Sequence, residues 1–222
     1  MKSNIITSWE KNAQEWIKVV QNQSIPSRKF TNKAILETIS SLSVEKVADL
    51  GCGEGWLTRE MSQQGFRAIG FDAIENLLKE ARRQGTENYY QLSFEDIISN
   101  SSLPEAPFNA AIFNFCLYLK DGVYPLLKNI LSKLDPEGYL IIQTLHPFFL
   151  VQNGFGYKSQ WLSDAWKGLP GNFREGHSWY ARTFEDWIQL LSSLEKTSFD
   201  IKEIKNDESE PISLIFKIKK SL

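Results

Sequence analysis

Three glycines at alternate positions, Gly51, Gly53 and Gly55, follow the apolar run Val47-Ala48-Asp49-Leu50 and precede Trp56 and a stretch with Leu57 and Met61 four apart. A bare turn of this kind lets a ligand touch the main chain, while the amides and dipole of a helix beginning beyond it favour electron-rich ligand atoms. Asp72 ends a second apolar run in "IGFDAIENL". Its carboxylate can accept both hydrogen bonds of a ribose diol, and it can also cap the helix that follows. Dinucleotide folds show GxGxxG, and a nucleotide P-loop ends in Gly-Lys-Ser/Thr. This turn is GxGxG followed by Trp56, without the lysine. The expected ligand contains a nucleoside, and the spacing counts against a dinucleotide and a triphosphate.

Other residues could act on a second molecule. His146, in "TLHPFF", follows an apolar run that reads as a strand; it is either a general base or a strand-end histidine bonded to nearby backbone. Tyr180 is a second candidate base. Arg182 or Arg28 could grip a carboxylate, with Arg182 alternatively bonded near a helix start at Thr183. Trp9, Trp16, Trp161, Trp166 and Trp179 either close an aromatic chamber or form a small core of their own. His177, in a Gly-flanked loop, is expected to be exposed. No cysteine spacing suggests a metal, Cys52 and Cys116 being the only two.

The elements that hold these residues alternate strand and helix. Strands are predicted at Val47–Leu50, at "RAIGF", near "NYYQLSF", at "FNAAIFNFCLYL" and at "YLIIQTL". Helices fall between them, ending at Gly65, Gly85 and the turn Asp135-Pro136-Glu137-Gly138, and a Pro-containing loop covers 99–107. A helix from Thr183 with a capping-box pattern, Thr183-x-x-Asp186, precedes two strands, "SFDIKEI" and "PISLIFKIKK", joined too closely to be parallel. The expected fold is an α/β, doubly wound, mostly parallel seven-stranded sheet with an antiparallel last strand.

Two segments stand outside that sheet. Residues 1–40 have a helical pattern, and 147–182 form an aromatic insertion without periodicity; the expectation is a single domain, 1–222, with a core over 44–146, these two segments as a lid, and 183–222 as a closing helix and hairpin. Balanced charge, 25 Lys+Arg against 27 Asp+Glu, excludes an extended phosphate-binding face, so no nucleic-acid partner is expected. The start of the chain lacks the zones of a signal peptide and no apolar run approaches ~20 residues, which leads to the expectation of a cytoplasmic protein without a membrane span, monomeric or homodimeric.

"VADLGCGEGWLTREM", Asp72 and "FNAAIFNFCLYL" together resemble the class I S-adenosylmethionine-dependent methyltransferases, in particular the small-molecule branch that includes ubiquinone/menaquinone C-methyltransferase-like proteins. "SWEKNAQEWIKVV", "SRKFTNKAILETI", "QTLHPFF" and "WYARTFEDWI" resemble a bacterial subgroup of that branch. The resemblance implies S-adenosyl-L-methionine as cofactor. It places Gly51, Gly53, Gly55 and Trp56 beside it, Asp49 near its amino-acid end, Asp72 on the ribose, Ser93, Phe94 and Glu95 at adenine, and Asn114 and Phe115 along the methionyl group. Trp9, Trp16, Arg28, Trp179 and Arg182 are then candidates for the acceptor side, His146 and Tyr180 for proton transfer. Two alternatives are an NAD(P)-dependent oxidoreductase and a non-catalytic binding protein on the same scaffold.

Overall fold

The computed structural model describes residues 2–99 and 102–221. Residues 1 and 222, the limits of the expected domain, and residues 100 and 101, within the expected 99–107 loop, lie outside the described residues.

Five parallel strands form the body of the sheet: β1 (Lys46–Leu50), β2 (Arg67–Asp72), β3 (Asn88–Gln91), β4 (Phe108–Asn114) and β5 (Leu134–Leu145). After a small antiparallel pair, β6 (Gln160–Leu162) and β7 (Trp179–Ala181), the chain returns as β8 (Thr197–Lys205) and β9 (Pro211–Lys220). The spatial order is β3-β2-β1-β4-β5-β9-β8, with β9 antiparallel to both neighbours. The reversed strand is thus last in the chain but lies one place in from the edge.

Both faces of the central strands are covered, which is why β1 and β4 are apolar at nearly every position. Neighbouring residues of β5 serve opposite sides. Leu140 and Ile142 join Phe71, Phe113, Leu127 and Phe216 in one core, and Ile141 joins Ile35, Met61 and Ile112 in the other. The helices against these faces are α2 (Arg28–Ser40), α3 (Trp56–Gln63), α4 (Glu75–Gln84), α6 (Val123–Ser132) and α8 (Phe184–Ser192), with the six-residue α5 (Phe94–Ser99) before β4. Thr183 caps α8, its Oγ1 accepting the Asp186 N–H at 3.2 Å.

Three local expectations are corrected. Strand β4 stops at Asn114 because Phe115 adopts φ +53°, so "FCLYL" folds across the sheet's end instead of extending it. Asp135–Gly138 does not separate α6 from β5. It is a bulge inside β5, where Phe108 pairs with Leu134 and Ala110 with Tyr139. Helix α5 has too short an apolar pattern to be visible in the sequence; Ser93 and Asp96 start it by exchanging side-chain-to-backbone hydrogen bonds.

Helix α1 (Lys2–Gln21) crosses the carboxyl ends of the strands. Ala13 and Ile17 pack on Ile74 and Leu77, and its other side meets the 163–178 segment, where Trp166 Nε1 donates to Ser8 Oγ at 2.9 Å. A short helix, α7 (Phe148–Gln152), follows β5. No helix among the described residues is long and apolar enough to cross a membrane.

Candidate functional site

The turn after β1 and the end of β2 are tied together. The Gly51 and Cys52 amides donate to Phe71 O at 2.7 and 3.0 Å, and the Gly53 N–H donates to Asp72 Oδ2 at 2.9 Å. Asp72 Oδ1 accepts the Ile74 N–H at 2.8 Å, so the carboxylate also caps the approach to α4. Each oxygen retains an acceptor position. Both of the roles open for Asp72 are therefore compatible.

All three glycines of the turn have positive φ, +75°, +58° and +79° in order, but they serve different ends. A Cβ on Gly51 would meet Cys116 Cβ at 2.8 Å; one on Gly55 would meet Tyr89 Oη at 2.6 Å and Ala81 Cβ at 2.9 Å. A Cβ on Gly53 would find only Trp16 Nε1, at 3.8 Å. Gly53 is the glycine with open space above it.

That space is part of a cavity of about 710 Å³ at the carboxyl ends of β1, β2 and β4. Open α/β sheets bind ligands at this switch point. Apart from Trp161, described below, and one residue of the turn, every residue singled out above for the site borders the cavity. That residue is Gly55, whose missing side chain makes room for Tyr89 and not for a ligand.

Two buried carboxylates, Asp49 and Glu54, and the half-buried Asp72 form the floor. Burial pushes Asp72 up to about 6 against the two backbone amides, and Asp49 up to about 7 against its 2.7 Å hydrogen bond from Thr58 Oγ1. Glu54 is also raised by burial, opposed by the charge of Arg28. Its Oε2 accepts from Trp16 Nε1 at 3.0 Å, while Oε1 is buried without a partner. Arg28 Cζ lies 4.9 Å over the Trp56 ring. Glu54 was not foreseen as a site residue; an acid flanked by two obligatory glycines was the available signal.

At the end of β4 the buried Asn114 Oδ1 has no partner, and Phe115, Cys116 and Tyr118 continue the wall, Tyr118 Oη donating to Phe115 O at 2.7 Å. Phe94 packs edge-on against Phe113, beside Gly51. The Ser93 hydroxyl donates to Asp96 Oδ2 at 2.7 Å, which commits it to α5.

Several candidates of the acceptor side take the structural one of the two roles open to them, and His177 departs from expectation. His146 Nδ1 accepts the Phe148 N–H at 3.0 Å and Nε2 lies 3.0 Å from Glu203 Oε1, so a single tautomer satisfies both nitrogens and leaves no lone pair for a substrate. Arg182 donates to Leu119 O and Lys120 O at 2.8 and 2.6 Å, the helix-proximal alternative, and braces the chain after β4. Trp161 is 37% exposed and lies outside the cavity, edge-on to Tyr180. His177, expected to be exposed, is completely buried among Trp9, Tyr118 and Trp166. Trp9 also meets Trp16 and Trp166 at 5.2 and 4.6 Å, so the tryptophans are at once a small core and a wall of the cavity.

A model of the methyltransferase domain family matches residues 9–195. The chain belongs to the methyltransferase domain family. The chain is 24% identical over 183 residues to an uncharacterized methyltransferase of Schizosaccharomyces pombe, covering 78% of this chain and 66% of that one. It is also 24% identical over 187 residues to a ubiquinone biosynthesis O-methyltransferase of Leptothrix cholodnii, covering 81% and 74%. In fold it is similar to a Burkholderia thailandensis 1,6-didemethyltoxoflavin-N1-methyltransferase solved with 1,6-didemethyltoxoflavin and S-adenosylhomocysteine. The TM-score is 0.69 at 18% identity, covering 100% of this chain and 89% of that one.

Proposed function

We propose that this protein transfers a methyl group from S-adenosyl-L-methionine to a small-molecule acceptor by in-line displacement, with S-adenosylhomocysteine as the second product. The observation that carries the reading is the Gly53–Asp72 hydrogen bond, which brings a side-chain-free turn and a carboxylate to one edge of the cavity. The residues fit such a cofactor. Asp72 keeps acceptor capacity for a ribose diol, the Asn114 Oδ1 is buried without a partner, Gly53 leaves room above it, and Arg28, whose charge opposes the rise at Glu54, borders the cavity. Carboxylates raised by desolvation also suit a positively charged ligand. Family membership sets aside the nicotinamide alternative.

The bound cofactor supplies a methyl carbon activated by its sulfonium. The chain's own residues then have to hold the acceptor in line and keep water out. In this reading α1 and residues 147–182 form the lid, whereas α2, expected as part of it, packs on the sheet through Ile35 and Ile39 and only its first turn reaches the cavity; the 44–146 core holds the cofactor, and the tryptophans make the dry wall around the sulfonium, where dispersal of charge at the transition state is favoured. His146 and Arg182 keep the walls in place and do not touch the acceptor.

Thermal unfolding with and without ligand tests the reading. S-adenosylhomocysteine at 100 times its dissociation constant should add about 2.7 kcal/mol, and NADH should add nothing. Asp72→Asn should remove the response. Stabilisation by NADH alone would overturn the proposal. Binding of S-adenosylmethionine without turnover of any compound in a broad metabolite panel would favour the non-catalytic scaffold.

A further inference from the structure

We infer that His177 is the acceptor-binding residue of this site, and that its imidazole hydrogen-bonds a ring N–H or O–H of a flat aromatic or heteroaromatic acceptor and takes up that proton on methylation. The inference rests on the methyl transfer proposed above and deepens it by naming the class of acceptor.

His177 borders the cavity and is wholly shielded from solvent, yet neither Nδ1 nor Nε2 has a hydrogen-bond partner. Buried polar atoms are rarely left unpaired, because the desolvation they suffer is then uncompensated. The contrast within the chain is direct: of its two histidines, His146 has both nitrogens engaged. The backbone around His177 is fixed, its carbonyl accepting the Ala165 N–H at 2.8 Å. The rings of Trp9, Tyr118 and Trp166 around it hold the unpaired imidazole in position.

Its surroundings select a flat ligand. Tyr118 and Trp166 stand edge-on to the imidazole at 5.1 and 5.4 Å, and Trp9 is 6.4 Å away. Aromatic walls with one polar atom set among them orient a ring by that atom. The position is also suitable. Trp9 touches both His177 and Trp16, Trp16 Nε1 lies next to Gly53, and Tyr118 is four residues beyond Asn114. Trp9 and Trp16 thus link His177 to the turn assigned to the cofactor.

The balance is simple. As the acceptor's ring nitrogen or oxygen bonds to the methyl carbon, the sulfur–carbon bond breaks and its electron pair stays on sulfur. The proton of the ring N–H or O–H, made strongly acidic by methylation, passes to the free imidazole nitrogen, and the positive charge moves from sulfur to His177. Burial holds the imidazole down to about 4, with Asp164 opposing, so the residue is neutral and able to accept at physiological pH.

The test uses the full chain labelled with ¹⁵N-histidine, whose two ring systems are assigned with His177→Phe. It is titrated with 2-naphthol and with 2-methoxynaphthalene, in the presence and absence of S-adenosylhomocysteine. The expected result is a shift of the His177 ring nitrogens by 2-naphthol and at least tenfold weaker binding of the ether. His177→Phe should remove that discrimination, and His177→Gln should restore part of it if the phenylalanine variant is poorly folded. Equal affinity for the two probes, or His177 nitrogens unmoved by 2-naphthol because they hold a trapped water only, overturns the inference. A wild-type chain that discriminates the probes but never responds to S-adenosylhomocysteine refutes the methyl transfer instead, so the two failures are told apart.

Discussion

Asn12 and Arg174, 162 residues apart, exchange two hydrogen bonds: Asn12 Nδ2 donates to Arg174 O at 2.7 Å, and the Arg174 N–H donates to Asn12 Oδ1 at 2.8 Å. The amide side chain thus stands in for a strand partner and fastens the 163–178 segment to α1. Ser8 Oγ adds a third link, to Glu175 O at 2.8 Å. Asn12→Ala leaves two backbone groups without partners, at a cost of about 2–3 kcal/mol to local closure. Hydrogen exchange should then show faster opening of residues 172–177, with β1 and β4 protected as before. Unchanged exchange at 172–177 would mean that the tryptophan contacts alone hold this cover.

The three glycines of the turn should separate by experiment. Gly53→Ala carries the left-handed backbone penalty, about 1–2 kcal/mol, and little steric cost. Gly55→Ala adds a collision with Tyr89 and Ala81, and Gly51→Ala one with Cys116. Urea unfolding should rank Gly53→Ala as the mildest in stability. Calorimetry with S-adenosylhomocysteine should nonetheless find binding lost in Gly53→Ala, because only there does the new methyl group enter the cavity. Retained affinity in that variant would place the cofactor elsewhere.

Much of this arrangement was legible in the sequence because it follows from local rules. Strand β1, its glycine turn and Asp72 lie within 26 residues of each other and are marked by burial, φ and charge together. What escaped was set by partners distant in sequence. His177 reads as a loop residue until Trp9, 168 positions earlier, closes over it, and the two roles open to Arg182 are separated only when the chain after β4 brings two carbonyls to it. Gly55 is ambiguous for the same reason: a ligand-binding glycine and one that accommodates Tyr89 have the same one-letter pattern. The extent of β4 was overestimated because an apolar run does not reveal the positive φ at Phe115.

Arg182 should prove to be a brace. Its fork spans the Leu119 and Lys120 carbonyls, and its Cζ lies 5.1 Å over the Trp187 ring. Replacement by methionine removes two charge-assisted hydrogen bonds, a loss of roughly 3 kcal/mol in urea unfolding. Lysine should recover little of it, since one ammonium cannot serve both carbonyls in the same plane. If Arg182→Lys matched the wild type in stability while losing acceptor binding, the side chain would belong to the substrate after all.

The desolvated carboxylates make binding and stability depend on pH in opposite senses. Asp49 and Asp72 have folded values of about 7 and about 6 against an ordinary 3.8. A carboxyl group whose value is raised by folding binds its proton more tightly in the native state, so its contribution to stability is present below pH 4 and is lost as pH rises through 6 to 7. The ligand-free wild type should therefore lose about 2–3 kcal/mol relative to Asp49→Asn between pH 5 and pH 8, at about 1.4 kcal/mol for each pH unit in which the two states differ by one proton. His177 acts in the reverse direction, its neutral form being lost in the unfolded chain as pH falls below 6.5, but it is common to both proteins and cancels in the difference. A cationic ligand relieves the same repulsion. S-adenosylmethionine should bind more tightly at pH 8 than at pH 5 and release protons on binding, and S-adenosylhomocysteine, lacking the sulfonium, should show the smaller pH dependence. Calorimetry in buffers of different ionisation enthalpy measures both. Equal proton release by the two ligands would mean that these carboxylates do not sense the sulfonium.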